Sequence, residues 1–219
     1  HANPCGVSIH KNNLKSYQLA LACDPISAFG GIISCNFKIN KKLAESLDGL
    51  FLEVVIANGF DEEALKILKK KKNLRLINAT NLIIKDLVKF SSAHESILTQ
   101  SEDLKEFKVK DFKIVSKKKP SKSQLSDLIF AFNVCRYVKS NAIVLAIDST
   151  TVGIGSGQPS RLDSCKIAID KMNKFKNLKE DVVAASDAFF PFVDGIEKLV
   201  HAGVSAVIQP SGSIRDKEI

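Results

Sequence analysis

Short β-branched runs alternate with amphipathic stretches along most of this 219-residue chain. That alternation confines it to the α/β class, with layered mixed sheets flanked by helices. Gly31 to Ser34 and Glu53 to Ala57 predict buried strands, and Asp61 to Lys71 predicts a helix. Asp61, Glu62 and Glu63 put acids at its positive end, and lysines stand at its negative end. Leu74 to Ile77 and Phe112 to Val115 are further strand expectations. Between them Asn78 to Glu106 has weak periodicity and reads as loop, with one strand near Ser96 to Thr99.

A boundary follows at Lys117-Lys118-Lys119-Pro120. Ser121 and Gln124 then stand at capping-box spacing, and Leu125, Leu128, Ile129, Phe132 and Cys135 form one stripe of a helix ending near Val138. Asn141 to Ile147 and Thr151 to Gly155 predict a hairpin across Asp148-Ser149-Thr150. A helix from about Ser160 to Lys174, a strand at Val182 to Ala185, a helix at Val193 to Ala202 and a strand at Val204 to Gln209 complete the pattern. The expected organisation is two lobes, residues 1–116 and 117–219.

Composition narrows function by exclusion. With 45% hydrophobic and 26% charged residues the chain is neither disordered nor collagenous. No apolar run approaches the roughly 20 residues that span a bilayer, and the first residues lack signal-peptide form, so a cytoplasmic protein without membrane contact is expected. The net charge of +8 comes largely from lysine runs at 69–72, 117–119 and 171–179. These read as solvated helix ends and loops, because a nucleic-acid module more often interleaves arginine with aromatics. Five cysteines without a CxxC pair read as reduced thiols, with Cys135 in the core. Cys5, in Asn3-Pro4-Cys5-Gly6, is a weak nucleophile candidate in a turn-forming stretch.

Three loops at strand ends hold the chemistry. Gly153-Ile154-Gly155-Ser156-Gly157 leads into a helix opening with Arg161. The alternate glycines suit either close approach of a ligand or a tight strand-to-helix turn, and Arg161 suits a carboxylate or phosphate. It is not a Walker loop or a good dinucleotide fingerprint. Asp187-Ala188-Phe189-Phe190-Pro191-Phe192-Val193-Asp194 either plugs the core or offers a stacking shelf to a flat ring. Gln209-Pro210-Ser211-Gly212-Ser213 follows the next strand, and α/β folds place ligands at such ends. Asn141, before an apolar strand, either caps the neighbouring helix end or presents its carboxamide to a substrate. His1, His10, His94 and His201 lack metal-site spacing.

Seven segments, in order, resemble the AICAR transformylase portion of the bifunctional purine biosynthesis family, whose other portion is IMP cyclohydrolase. They are His1 to Gly6, Asp24 to Gly31, Glu53 to Leu65, Lys139 to Val144, Gly153 to Arg161, Ser186 to Gly195 and Gln209 to Asp216. The resemblance implies formyl transfer from 10-formyltetrahydrofolate to the amine of AICAR. It implies catalytic roles for His1 (assisting proton removal) and Asn141 (positioning the amine and formyl group). It implies nucleotide contacts at Phe29, Gly30, Glu53 and Phe189, and folate contacts at Arg161, Pro191, Phe192, Asp194, Ser211 and Gly212. It further implies two cytidine deaminase-like lobes, a homodimer with shared active sites, and a structural potassium ion near Ser140 and Asp187. No zinc is expected, since the H-x-E and P-C-x-x-C ligand pattern is missing.

The family places a catalytic lysine just before the position of His1, and a last strand with a basic motif beyond the position of Ile219. The chain is therefore expected to be a piece of a longer protein that also holds the cyclohydrolase portion, and to be inactive alone. Rival expectations are a non-catalytic dimerising fragment and, on charge alone, a nucleic-acid-binding module.

Overall fold

A computed structural model describes residues 3–82, 88–175, 180–216 and 218. The chain is α/β, with six helices and three sheets among those residues.

Helix α1 (Asn13–Cys23) precedes β1 (Gly31–Cys35), α2 (Lys41–Asp48), β2 (Leu52–Ala57), α3 (Glu62–Leu68) and β3 (Arg75–Asn78). The strands form a parallel sheet in chain order, with Ile33 opposite Val55 and Val55 opposite Leu76. Tyr17, Leu43, Leu47, Val55, Ala57, Ala64 and Leu68 close its core against the helices. Strand β1 differs from the buried strand expected. It is an edge strand, and Ile32 on its outer face is 61% exposed. Helices α1 and α2 went unpredicted. Each begins at an asparagine whose side chain accepts an amide N–H of the first turn: Asn12 from Lys15 and Asn40 from Leu43.

The Asn78–Glu106 stretch, in which residues 83–87 lie outside the described set, holds two strands rather than one. β4 (Val88–Ala93) and β5 (Ser96–Ser101) form an antiparallel hairpin, exposed at nearly every position, and the alternation of Val88 and Phe90 with Lys89 and Ser91 is too short to mark the first strand. Phe112 to Val115 forms no strand. A 3-10 turn at Val109–Asp111 precedes it, and Phe112 packs edge-on against Phe132 at 5.6 Å in a cluster with Phe107.

Helix α4 (Lys122–Cys135), β6 (Ile143–Ile147), β7 (Thr150–Gly155), α5 (Arg161–Phe175), β8 (Val183–Ser186), α6 (Asp194–His201) and β9 (Ala206–Ile208) build the second sheet, in order β7-β6-β8-β9. Both faces are covered. Val144 and Ala146 face α4, whereas Ile143 and Leu145 face α5 and α6, which is why β6 reads as a continuous apolar run. Only β8 and β9 run parallel. Ser121 and Gln124 make the capping box that opens α4. Asp148 and Ser149, both at positive φ, form the hairpin turn, and the buried Asp127 carboxylate accepts both their amide N–H groups.

Two ties join this sheet to the first. Residues 7–9 run antiparallel along β7, with Val7 and Thr151 exchanging backbone and hydroxyl hydrogen bonds. The buried Asp24, at the end of α1, accepts from Lys171 of α5 at 2.6 Å and from Ser27.

Candidate functional site

The glycine-rich segment was open between ligand approach and structural turn, and packing separates its members. A Cβ on Gly153 would lie 2.1 Å from the carbonyl oxygen of Ala168, and one on Gly155 would lie 1.9 Å from that of Ser164. These two glycines let α5 lie against β7. Gly157 alone has the left-handed φ of +67° with nothing near its Cβ direction, and its N–H donates to Lys139 at 2.8 Å.

Seating α5 this closely brings its first turn to the start of β6. Arg161 Nη2 donates to Asn141 Oδ1 at 2.7 Å, Arg161 Nη1 donates to Ser186 Oγ at 2.8 Å and pairs with Asp187, and Ser164 Oγ donates to the Asn141 carbonyl at 2.8 Å. A guanidinium can only donate, so the Asn141 oxygen must face it. The amide nitrogen then faces the carbonyls of Gln158 and Pro159, at 2.8 and 3.0 Å. Both N–H groups of Asn141 are thereby used, and Oδ1 keeps one lone pair.

Asp187 balances the Arg161 charge. Burial pushes its carboxyl up, but hydrogen bonds from Ser140, Arg161 and the Ala142 N–H outweigh that and hold it below the usual carboxylate range. Each oxygen of Asp187 already accepts a protein donor, an arrangement that fits an ion pair rather than an oxygen cage for potassium at Ser140 and Asp187. Among the described residues no group of three His, Cys, Asp or Glu side chains gathers to hold a metal.

Asn141 and Arg161 border a cleft of about 480 Å³, which Phe189, Pro191, Phe192 and Asp194 also line. That volume suits a small-molecule ligand. The aromatic loop divides between its two readings. Phe190 is 1% exposed and packs on Gly195, so it plugs the core, whereas Phe189 and Phe192 are 39% and 52% exposed at the cleft. The loop after β9 adjoins it. Gln209 Oε1 accepts the Phe190 N–H at 2.7 Å, Gly212 lies against Phe189, and the Arg215 guanidinium sits 5.1 Å from the Phe192 ring. Ser211 is not among the lining residues.

Phe29, Gly30 and Glu53 gather elsewhere, at the beginnings of β1 and β2. The Gly30 N–H donates to the Phe51 carbonyl at 2.9 Å, and the Phe29 and Phe51 rings are 5.1 Å apart. None of the three lines the Asn141 cleft. His1 lies outside the described residues. The Cys5 thiol is raised by burial and by the charge of Asp24, which leaves it protonated at neutral pH and a poor nucleophile. Sequence reasoning did not single out Asn3, Gln158 or Ser164. Ser164 was within reach of it, standing three residues beyond Arg161 on the same helix face.

The profile of a family described as the AICARFT/IMPCHase bienzyme matches residues 1–171. The chain belongs to this family. Among curated relatives of the bienzyme family, the Bifunctional purine biosynthesis protein PurH of Clostridium botulinum is 46% identical over 220 residues, and that of Acetivibrio thermocellus 44% over 221. PurH of Caulobacter vibrioides is 43% identical over 221 residues. Each comparison takes in all of this chain and 42% of the relative, so the chain spans about two fifths of the length of the relatives it matches. No helix among the described residues is long and apolar enough to cross a membrane.

Proposed function

We propose that this chain supplies the formyl-transfer site of a bifunctional purine biosynthesis enzyme, moving the formyl group of 10-formyltetrahydrofolate to the amine of AICAR. The observation that carries this reading is the fixed Asn141 carboxamide at the edge of a cleft bordered by the exposed rings of Phe189 and Phe192. A flat pterin ring suits the Phe192 face, and the base of the nucleotide suits Phe189 beside it. The remaining lone pair on Asn141 Oδ1 accepts an N–H of the AICAR amine and aims its nitrogen at the formyl carbon. Because Arg161 and two carbonyls lock the amide, the geometry is set before substrate arrives.

In the reaction the amine nitrogen bonds to the formyl carbon, His1 assists removal of the amine proton, and the carbon–nitrogen bond to tetrahydrofolate then breaks as its nitrogen takes up a proton. Arg161 holds Asn141, Ser186 and Asp187 with three of its five N–H groups and, bordering the cleft, offers the others to the folate. Phe29, Gly30 and Glu53 form a second patch for nucleotide, in a homodimer whose subunits share active sites. The division into lobes 1–116 and 117–219, a cytoplasmic location and independence from zinc belong to the same reading.

The test is incubation of the full-length polypeptide that contains this sequence with AICAR and 10-formyltetrahydrofolate, following tetrahydrofolate release by absorbance. Release that requires both substrates supports the proposal. No release from folded, full-length protein overturns it.

A further inference from the structure

The Lys139-Ser140-Asn141 turn is held from two sides. The Lys139 carbonyl accepts from the Gly157 N–H, as described, while its own amide N–H donates to the side-chain Oδ1 of Asn3 at 2.7 Å. That second bond spans 136 positions of sequence. It is made by the segment whose later residues, Val7 to Ile9, lie along β7. Lys139 stands two residues along the chain from Asn141. Two residues of chain reach at most about 7 Å.

We propose that Asn3 is a positioning residue, whose side-chain oxygen fixes the N-terminal arm against the Asn141 turn and so holds in place the carboxamide assigned to the chemistry. The inference rests on the formyl-transfer reading above. Three features carry it. The Lys139 amide sits in a turn between α4 and β6, where helix and sheet leave it no backbone partner, and Asn3 supplies one. The arm is already pinned at Val7, so a second attachment at Asn3 removes the freedom left in residues 3–6. The Asn3 oxygen makes a single, directional contact, which a loss of general packing does not mimic.

Asn3→Ala removes the acceptor, whereas Asn3→Asp keeps one of the same size in the same place. In the full-length polypeptide, Asn3→Ala is expected to lower kcat by roughly 10- to 100-fold, with KM for both substrates nearly unchanged. Asn3→Asp is expected to restore most of that rate. Hydrogen exchange at the Lys139 amide supplies a readout independent of turnover. Protection is expected to fall in Asn3→Ala and to persist in Asn3→Asp, while protection across β6 and β7 stays as in the wild type. Wild-type kcat in Asn3→Ala overturns the inference. So does an Asn3→Asp protein as slow as Asn3→Ala, or a loss that lies wholly in KM. A wild-type protein with no formyl transfer overturns the functional reading instead, and the exchange data then still decide whether Asn3 holds the turn.

Discussion

The Arg161 guanidinium donates to the carboxamide oxygen of Asn141 at 2.7 Å, and that bond decides which way the amide faces. Everything around it agrees. Two carbonyls meet the amide nitrogen, and Asp187 and Ser186 both hold Nη1 of the guanidinium.

Arg161→Lys keeps a cation but cannot bond Asn141, Ser186 and Asp187 together, since an ammonium lacks the planar fork. The expected outcome is a fall in kcat of about 100-fold while the protein still folds. Arg161→Met leaves Asp187 part-buried without its cation, and it is expected to lose about 3 kcal/mol of stability in denaturant titration.

The glycines separate cleanly by what surrounds them. Gly155→Ala drives a methyl into the Ser164 carbonyl and forces α5 away from β7, for an expected loss of about 3 kcal/mol. Gly157→Ala meets open space and bears only the strain of its left-handed backbone, about 1 kcal/mol. Thermal unfolding of the two variants side by side checks the order.

Phe190 and Phe192 are two residues apart and do different things. Phe190→Ala opens a cavity under Gly195 and is expected to cost about 4 kcal/mol. Phe192→Ala removes a ring that is half in solvent, so stability is expected to stay within about 0.5 kcal/mol. Its effect is expected in KM for the folate, a rise of roughly fivefold through lost stacking.

The second sheet was largely legible in the sequence, and the first much less so. The run Ile143 to Ile147 and the stripe of α4 each belong to elements buried on the faces that periodicity detects. Helix α1 was missed because its apolar face is weak and only its cap, Asn12, marks it, and an asparagine is as much at home in a turn; α2 carries an apolar stripe, Leu43, Ala44 and Leu47, but over a bare two turns. Strand β4 escaped because its apolar alternation stops after Phe90, and Phe112 misled because its ring serves a local aromatic cluster rather than a sheet. At the site, Arg161 and the aromatic loop were recognised by residue type. That Arg161 also reaches Asn141 depends on the approach of α5 to β7, a three-dimensional distance that spacing along the chain does not carry.

Asp24 ties α1 to α5 through Lys171. Burial pushes its carboxyl up, but the bonds from Lys171 and Ser27 outweigh this and hold it below the ordinary value. A depressed carboxyl contributes stability that is present above the unfolded pKa, about 3.9, and is lost as pH falls through the lower folded value. Lys171→Met is therefore expected to cost about 2 kcal/mol at neutral pH. Urea titrations in a pH series are expected to show the gap between variant and wild type narrowing below about pH 4.

The most direct test compares formyl transfer by Asn141→Ala with that of the wild type, in the full-length polypeptide with AICAR and 10-formyltetrahydrofolate. The account predicts wild-type turnover and a loss of about 100-fold or more in kcat for the variant, with the fold retained. An Asn141→Ala protein that transfers the formyl group at the wild-type rate would contradict it.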